Sequence, residues 1–248
     1  MAMQPDAARA EQAWIDERIA AGIDAPQAML VHYAAPALIH GRRGPADGAI
    51  AARARAAGCD VVQRRSGGGV VLAGPWLLGL DLLLPAAHPL SQGGPIAAFN
   101  ALGAHLRERL AAVGVPTRLA QAADIARHKA AARDAGVEGI CFAGLSHGEL
   151  LDADGRKLVG LAQSRGRWGC LLSAGLLLAA TPWEMLETIH LGRRCERSAM
   201  HELAAAGMTG MAAWHPAQWR AHLLVGPWAP ARPDASEWEK EGMAYEHE

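Results

Sequence analysis

The sequence predicts an α+β domain built on a mixed, mostly antiparallel sheet flanked by helices. Three observations carry that expectation. Helix-like and strand-like segments come in mixed blocks rather than in regular βα alternation, which disfavours a doubly wound parallel sheet. The tetrapeptide "DADG" at 152–155 joins two strand-like segments, so an antiparallel hairpin is expected there. The chain has 248 residues, 51% hydrophobic and 20% charged, a balance that suits one large core.

Residues 7–21 read as an amphipathic helix. "AMLVHY" and "ALIHG" read as short strands separated by Pro36, and "PADGAIAARARAAG" as a helix with Pro45 near its start and Gly58 at its stop. "DVVQR", "GVVLAG" and "LLGLDLLLP" read as three further strands. Residues 95–113 carry the clearest helical pattern, closed by Gly114. "VPTRLA" and residues 139–165 return to strand and turn signals, and "CLLSAGLLLA" reads as a last buried strand. From Pro182 the pattern is mostly helical. One domain is expected over 1–228, followed by a charged, mobile tail over 229–248.

Composition excludes several classes. The formal net charge is -1 and the pI about 6.8, without the basic excess of a nucleic-acid protein. Cys59, Cys141, Cys170 and Cys195 form no CxxC pair, which argues against a zinc knuckle, and no metal is expected. The opening "MAMQPDAARAEQAWIDERIA" is polar and unlike a secretory signal. The densest apolar run, "CLLSAGLLLAA", is too short to span a bilayer. A cytoplasmic chain with reduced thiols and no membrane association is expected.

Three motifs carry chemistry. In "QRRSGGG", successive glycines would let a polar ligand approach main-chain N–H groups, with Arg64, Arg65 and Ser66 adding donors. The same glycines also suit a bulged bend at a sheet corner. In "GRKLVGLAQSR", Lys157 leaves a tight turn and enters a strand among Leu158, Val159 and Leu161. Facing inward it would be a desolvated point charge; facing outward, a solvated one. In "CFAGLSHGEL", Cys141 beside Phe142 suits either a small core residue or a nucleophile.

Taken together, the order and separation of these motifs resemble the biotin/lipoate A/B protein ligase superfamily, with a lipoate-protein ligase A-like catalytic domain. Arg64, Arg65, Ser66 and Gly67 to Gly69 fall on its glycine turn, with Gln63 in place of a leading Arg. Gly155, Arg156, Lys157, Gly160, Ala162, Gln163 and Arg165 fall on its hairpin. Cys141, Phe142, Ser146, Glu149 and Leu150 are similar to the segment carrying the nucleophile of its cysteine-dependent octanoyltransferase branch. Two histidines usual in the family are absent, at the stretches of Ala73-Gly74-Pro75 and Ser173-Ala174-Gly175.

The resemblance implies a catalytic domain over 1–228 that moves an octanoyl or lipoyl group from an acyl carrier protein thioester to a lysine of lipoyl-domain proteins. It implies catalysis by Cys141 and Lys157, the latter lowering the thiol pKa and binding the oxyanion. Arg64, Ser66, Gly67, Gly68, Gly69, Val70, Leu72, Gly160 and Ala162 are expected to bind the acyl substrate, with Val70, Leu72 and Leu161 lining a tunnel. No cofactor is needed for transfer. An ATP-dependent ligase is the alternative, with ATP and Mg2+ and with Lys157 and Arg64 on the acyl-adenylate. A non-catalytic scaffold that binds a lipoyl domain or acyl group is a third reading. Cys195 is a rival nucleophile. Arg64, Arg65, Arg165 and Arg167 are expected to form a positive rim for an acidic carrier. Lys157→Ala is expected to abolish transfer and leave the fold intact.

Overall fold

The computed structural model describes residues 7–42, 48–192, 196–208, 211 and 214–225. Nine strands and eight helices follow one another among these residues, and the strands form two sheets. The larger sheet has the order β1 (Gln27–His32), β5 (Leu77–Pro85), β9 (Gly169–Leu177), β8 (Lys157–Gly166), β7 (Leu150–Leu151) and β6 (Arg118–Leu119). Every neighbouring pair in it is antiparallel. The smaller sheet places β2 (Ala37–His40) between β3 (Asp60–Gln63), which runs parallel to it, and β4 (Val71–Ala73), which runs antiparallel. The expected mixed, mostly antiparallel architecture is the one observed.

β5 is the spine of the larger sheet. Leu77 through Leu84 are all buried, as a strand covered on both faces requires. The "DADG" hairpin forms as expected: Asp152 Oδ1 accepts from the Asp154 and Arg156 amides, and Gly155 takes φ +78°. β8 then runs antiparallel to β9 over its whole length from Val159.

The helices pack stripes against these sheets. α1 (Ala7–Ala21) buries Ala8, Glu11 and Ile15, one face of the helix with a carboxylate in its middle. α2 (Gly48–Ala56) buries Ile50 and Ala54. A short helix α3 (Pro89–Gln92) precedes α4 (Pro95–Ala111), which starts with proline at its first turn and buries Ala98, Leu102, Leu106 and Leu110 at four-residue spacing. Gly103 of α4 touches the main chain at Gly148, where any side chain would collide with the Gly148 carbonyl.

α5 (Ala122–Asp134) is a helix that the sequence reading does not anticipate, although its segment is rich in alanine and closed by Gly136 at φ +70°. Its buried stripe is Asp124, His128 and Ala132, so the four-residue period is present but written in polar residues. Asp124 closes a capping box with Gln121 and pairs with Arg118 and Arg127, while His128 Nε2 bonds the Gly155 carbonyl. The final helices are α6 (Trp183–Leu191), α7 (Met200–Leu203) and α8 (Pro216–Leu223). They agree with the helical reading after Pro182. The expected tail over 229–248 lies outside the described residues.

Candidate active site

A cavity lies between the two sheets, closed at one side by α1. Its floor follows from three glycines. Gly79 of β5 pairs with Gly175 of β9, which pairs with Gly160 of β8, so the three occupy one row across adjacent strands. Paired residues of an antiparallel ladder point to the same face, and here that face carries no side chains. A methyl at Gly79 would come within 2.6 Å of Tyr33 Oη, and one at Gly160 within 3.1 Å of Lys157 Cε. Ile39 and Val71, paired across the smaller sheet, line the opposite wall. Gly175→Ala is the mildest way to raise the floor, since its methyl would meet Leu77 at 3.4 Å, an ordinary contact. We expect it to change thermal stability by about 1 kcal/mol or less, as read by calorimetry on each protein.

The glycine turn is held by its own chain. Gly68 takes φ +103°, which favours glycine. Gly41 packs on the Gly68 carbonyl, and Gly69 packs on the main chain of Gly139 to Cys141, both too closely for a side chain. The Arg64 guanidinium donates to Gly67 O at 2.9 Å and to Gly69 O at 3.1 Å. The glycines therefore serve first to bring three backbone segments together. Ser66 and Arg64 line the cavity, and Ser66 is buried. Gly67 and Gly68 are exposed. Strand alternation turns Val71 to the cavity with Ile39, whereas Leu72 lies in the core opposite Leu38 and Val70 bridges Ile140. The wall is thus built by Val71, one register step from the Val70 and Leu72 expected from sequence.

Cys141 is next to this turn. Its N–H donates to Val70 O at 2.9 Å, and its carbonyl accepts from Lys157 Nζ at 3.0 Å. The residue is half-buried and lines the cavity, so it is neither a core cysteine nor a surface one. Cys59 and Cys170 are buried, and burial pushes both thiols up. Cys195 lies outside the described residues.

Lys157 is 1% exposed, one of the largest fully buried side chains described. An ammonium has three N–H donors. Those of Lys157 meet Cys141 O and Gly144 O at 3.0 Å each and Glu149 Oε1 at 2.8 Å. The ammonium also sits 5.3 Å from the Phe142 ring centroid. Glu149 is itself buried and accepts from the Leu161 and Ser146 amides at 2.9 and 2.7 Å. Lys157 and Glu149 together thus staple the 141–149 loop to β8. The sequence placed Lys157 at a polar turn and expected its removal to spare the fold. The burial and the ion pair correct that expectation, because either partner alone would be an uncompensated buried charge. Contact of Lys157 with an oxyanion, carboxylate or phosphate requires exchange of one of these three bonds.

The side of the cavity nearest α1 is polar, and the sequence reading did not identify it. Tyr33 donates to Glu11 Oε2 at 2.9 Å, Ser173 donates to Asp81, and the Glu11 and Asp81 carboxyls adjoin. Burial and the neighbouring Asp81 hold Glu11 well above the usual carboxylate range. Burial likewise raises Tyr33 and Asp81. Two signals were available: a charge within the apolar run "LLGLDLLLP", and a glutamate between Ala8 and Ile15 on the buried face of α1.

Of the other expected site residues, Gly160, Leu161 and Ala162 line the cavity, as does Ala174 at the site of one absent histidine. Ala73, at the other, is fully buried. Three of the four arginines expected to form a positive rim are engaged within the protein. Arg65 bonds Asp16, Arg165 bonds the carbonyls of Leu90, Ser91 and Gly93, and Arg64 holds the glycine turn. Arg167 alone of the four is exposed.

Comparison with known proteins is consistent with this arrangement. The sequence pattern of the lipoyl protein ligase A/B catalytic domain matches residues 5–216. Among curated proteins no match is found. A bi-partite lipoate protein ligase from Thermoplasma acidophilum, studied with its E2 lipoyl domain, is similar in fold with a TM-score of 0.60 and 15% identity, over 89% of this chain and 77% of that one. Lipoate-protein ligase A bound with ATP is similar with a TM-score of 0.57 and 15% identity, over 80% of this chain and 70% of that one. No helix among the described residues is long and apolar enough to cross a membrane. With the match running through both sheets, the glycine turn, the Cys141 loop and the Lys157 hairpin, the chain belongs to the lipoyl protein ligase A/B catalytic domain family.

Proposed function

We propose that this domain transfers an acyl group from a carrier thioester to a lysine of a lipoyl domain, with Cys141 as the intermediate acceptor. The observation that carries the reading is the position of Cys141. It is half-buried, opens on the cavity, and has its main chain held on both sides, by Val70 O and by Lys157 Nζ. In the first step Cys141 Sγ bonds the thioester carbonyl carbon, the bond to the carrier sulfur breaks, and the carrier thiol leaves with the proton. In the second the lysine amine bonds the same carbon and the bond to Sγ breaks. The amide forms, and the thiol regains a proton. Thioester exchange is close to isoenergetic and amide formation is downhill, so no nucleotide is required.

Lys157 then acts as a positioning residue for the Cys141 loop, its charge compensated by Glu149. The acyl chain lies along the Gly79–Gly175–Gly160 row beneath Ile39 and Val71. A lipoyl domain as acceptor agrees with the partner of the Thermoplasma acidophilum neighbour. A ligase reading draws on the ATP bound by the other neighbour. It would place the acyl-adenylate against Arg64 and Lys157; all three Lys157 donors, and Nε and Nη2 of Arg64, are here engaged by the protein itself.

Intact-mass spectrometry separates the readings. With octanoyl carrier protein, a covalent octanoyl adduct on the domain is expected, which passes to a lipoyl domain without ATP. Acyl-adenylate from octanoate, ATP and Mg2+ without any adduct would establish the ligase instead. Neither product would leave a binding scaffold.

A further inference from the structure

The segment that carries Cys141 is held on three sides. In front, Val70 N–H donates to Gly139 O at 2.8 Å and Cys141 N–H donates to Val70 O at 2.9 Å, which pins the segment to the chain leaving the glycine turn. At its end, Lys157 Nζ holds the Cys141 carbonyl. Behind it stands His190, the second-last residue of α6. A methyl placed on Gly139 would lie 2.5 Å from His190 Nε2 and 3.1 Å from its Cε1, so the imidazole occupies the space a side chain there would need.

This contact is one of shape. His190 Nδ1 is buried and meets no hydrogen-bond partner, so packing rather than a bond sets the ring against Gly139. Burial and then the charge of Arg53 disfavour its protonated form. The ring is placed from outside the loop. Arg53 of α2 donates through Nε to Ile189 O at 2.7 Å and through Nη2 to His190 O at 3.5 Å, tying the end of α6 to α2. Neither residue belongs to the motifs read from the sequence.

We propose that His190 is a positioning residue for acyl transfer: its ring backs Gly139 and so sets where the Cys141 segment stands against the glycine turn and the cavity. The inference rests on the reading that Cys141 accepts the acyl group. Closely packed groups transmit a change of volume to their neighbours, and a displacement of about 1 Å at a reacting atom costs up to about a hundredfold in rate.

Steady-state transfer from octanoyl carrier protein to a lipoyl domain, with the adduct followed by intact mass, tests it. His190→Ala empties the space behind Gly139, and Gly139→Ala fills a space already occupied. Each should lower kcat roughly 10- to 100-fold and leave the KM for the carrier within about threefold of wild type. In Gly139→Ala/His190→Ala the new methyl takes room the ring has vacated, so the double variant should be faster than Gly139→Ala alone. His190→Gln, similar in reach, should keep more of the rate than His190→Ala. Single variants with wild-type kcat, losses confined to KM, or losses that simply add in the double variant would overturn the positioning role and leave transfer through Cys141 standing. If the wild type forms no octanoyl adduct, the Cys141 reading falls and this inference falls with it. Should His190→Ala fail to fold by circular dichroism, Gly139→Ala and His190→Gln still decide, because wild-type kcat in both overturns the role.

Discussion

Lys157→Ala will lower the unfolding free energy by about 3–5 kcal/mol, and Glu149→Ala by a similar amount. Both side chains are about 2% exposed, so each single change strands a charge out of water. Lys157→Ala also frees the Cys141 and Gly144 carbonyls, and Glu149→Ala frees the Leu161 and Ser146 amides. Urea unfolding at constant m reads the loss directly. The double variant Lys157→Met/Glu149→Leu should recover much of it, because no charge then remains buried. Single variants within about 1 kcal/mol of wild type would show that the pair is not the staple described here. Transfer activity should fall in each single variant, through a displaced Cys141 loop, even at temperatures where the protein remains folded.

Cys141→Ala is the variant with the largest expected effect on chemistry. The covalent adduct should disappear and transfer should fall by at least about a hundredfold, with stability changed by less than about 1 kcal/mol since the thiol is only half-buried. Iodoacetamide should modify Cys141 faster than Cys59 or Cys170, whose thiols are buried and pushed up by desolvation. Cys141→Ser should also lose the adduct, because a hydroxyl without a dedicated base is a far weaker nucleophile. Transfer that survives Cys141→Ala and requires ATP would move the chain to the ligase mechanism.

The two experiments separate roles that the motifs alone merge. In the sequence, Lys157 and Cys141 look like two halves of one catalytic device. In the folded chain Lys157 touches the main chain of Cys141 and the carboxylate of Glu149. A compensated ion pair exerts a weaker field on a neighbouring thiol than a bare ammonium would. The expected signature is therefore a large stability effect at Lys157 with a secondary loss of rate, and the reverse balance at Cys141.

The sequence by itself determined the α+β class, the hairpin at 152–155, the helix opened by Pro95 and the glycine turn, because each is written in local terms. Turn residues, a proline at a helix start and a two-residue alternation need no partner to be read. Only the tertiary structure decided which way Lys157 faces. A residue at the start of a strand can turn either way, and the irregular pairing at Leu150/Leu151 with the Glu149 carboxylate turned this one inward. The same holds for the face that α5 buries, where Asp124 and His128 draw their partners from Arg118, Arg127 and Gly155. It holds also for the polar side of the cavity. Glu11 comes from α1, Asp81 and Ser173 from β5 and β9, and Tyr33 from the residue after β1, so this hydrogen-bonded cluster exists only once the two sheets and α1 have packed together.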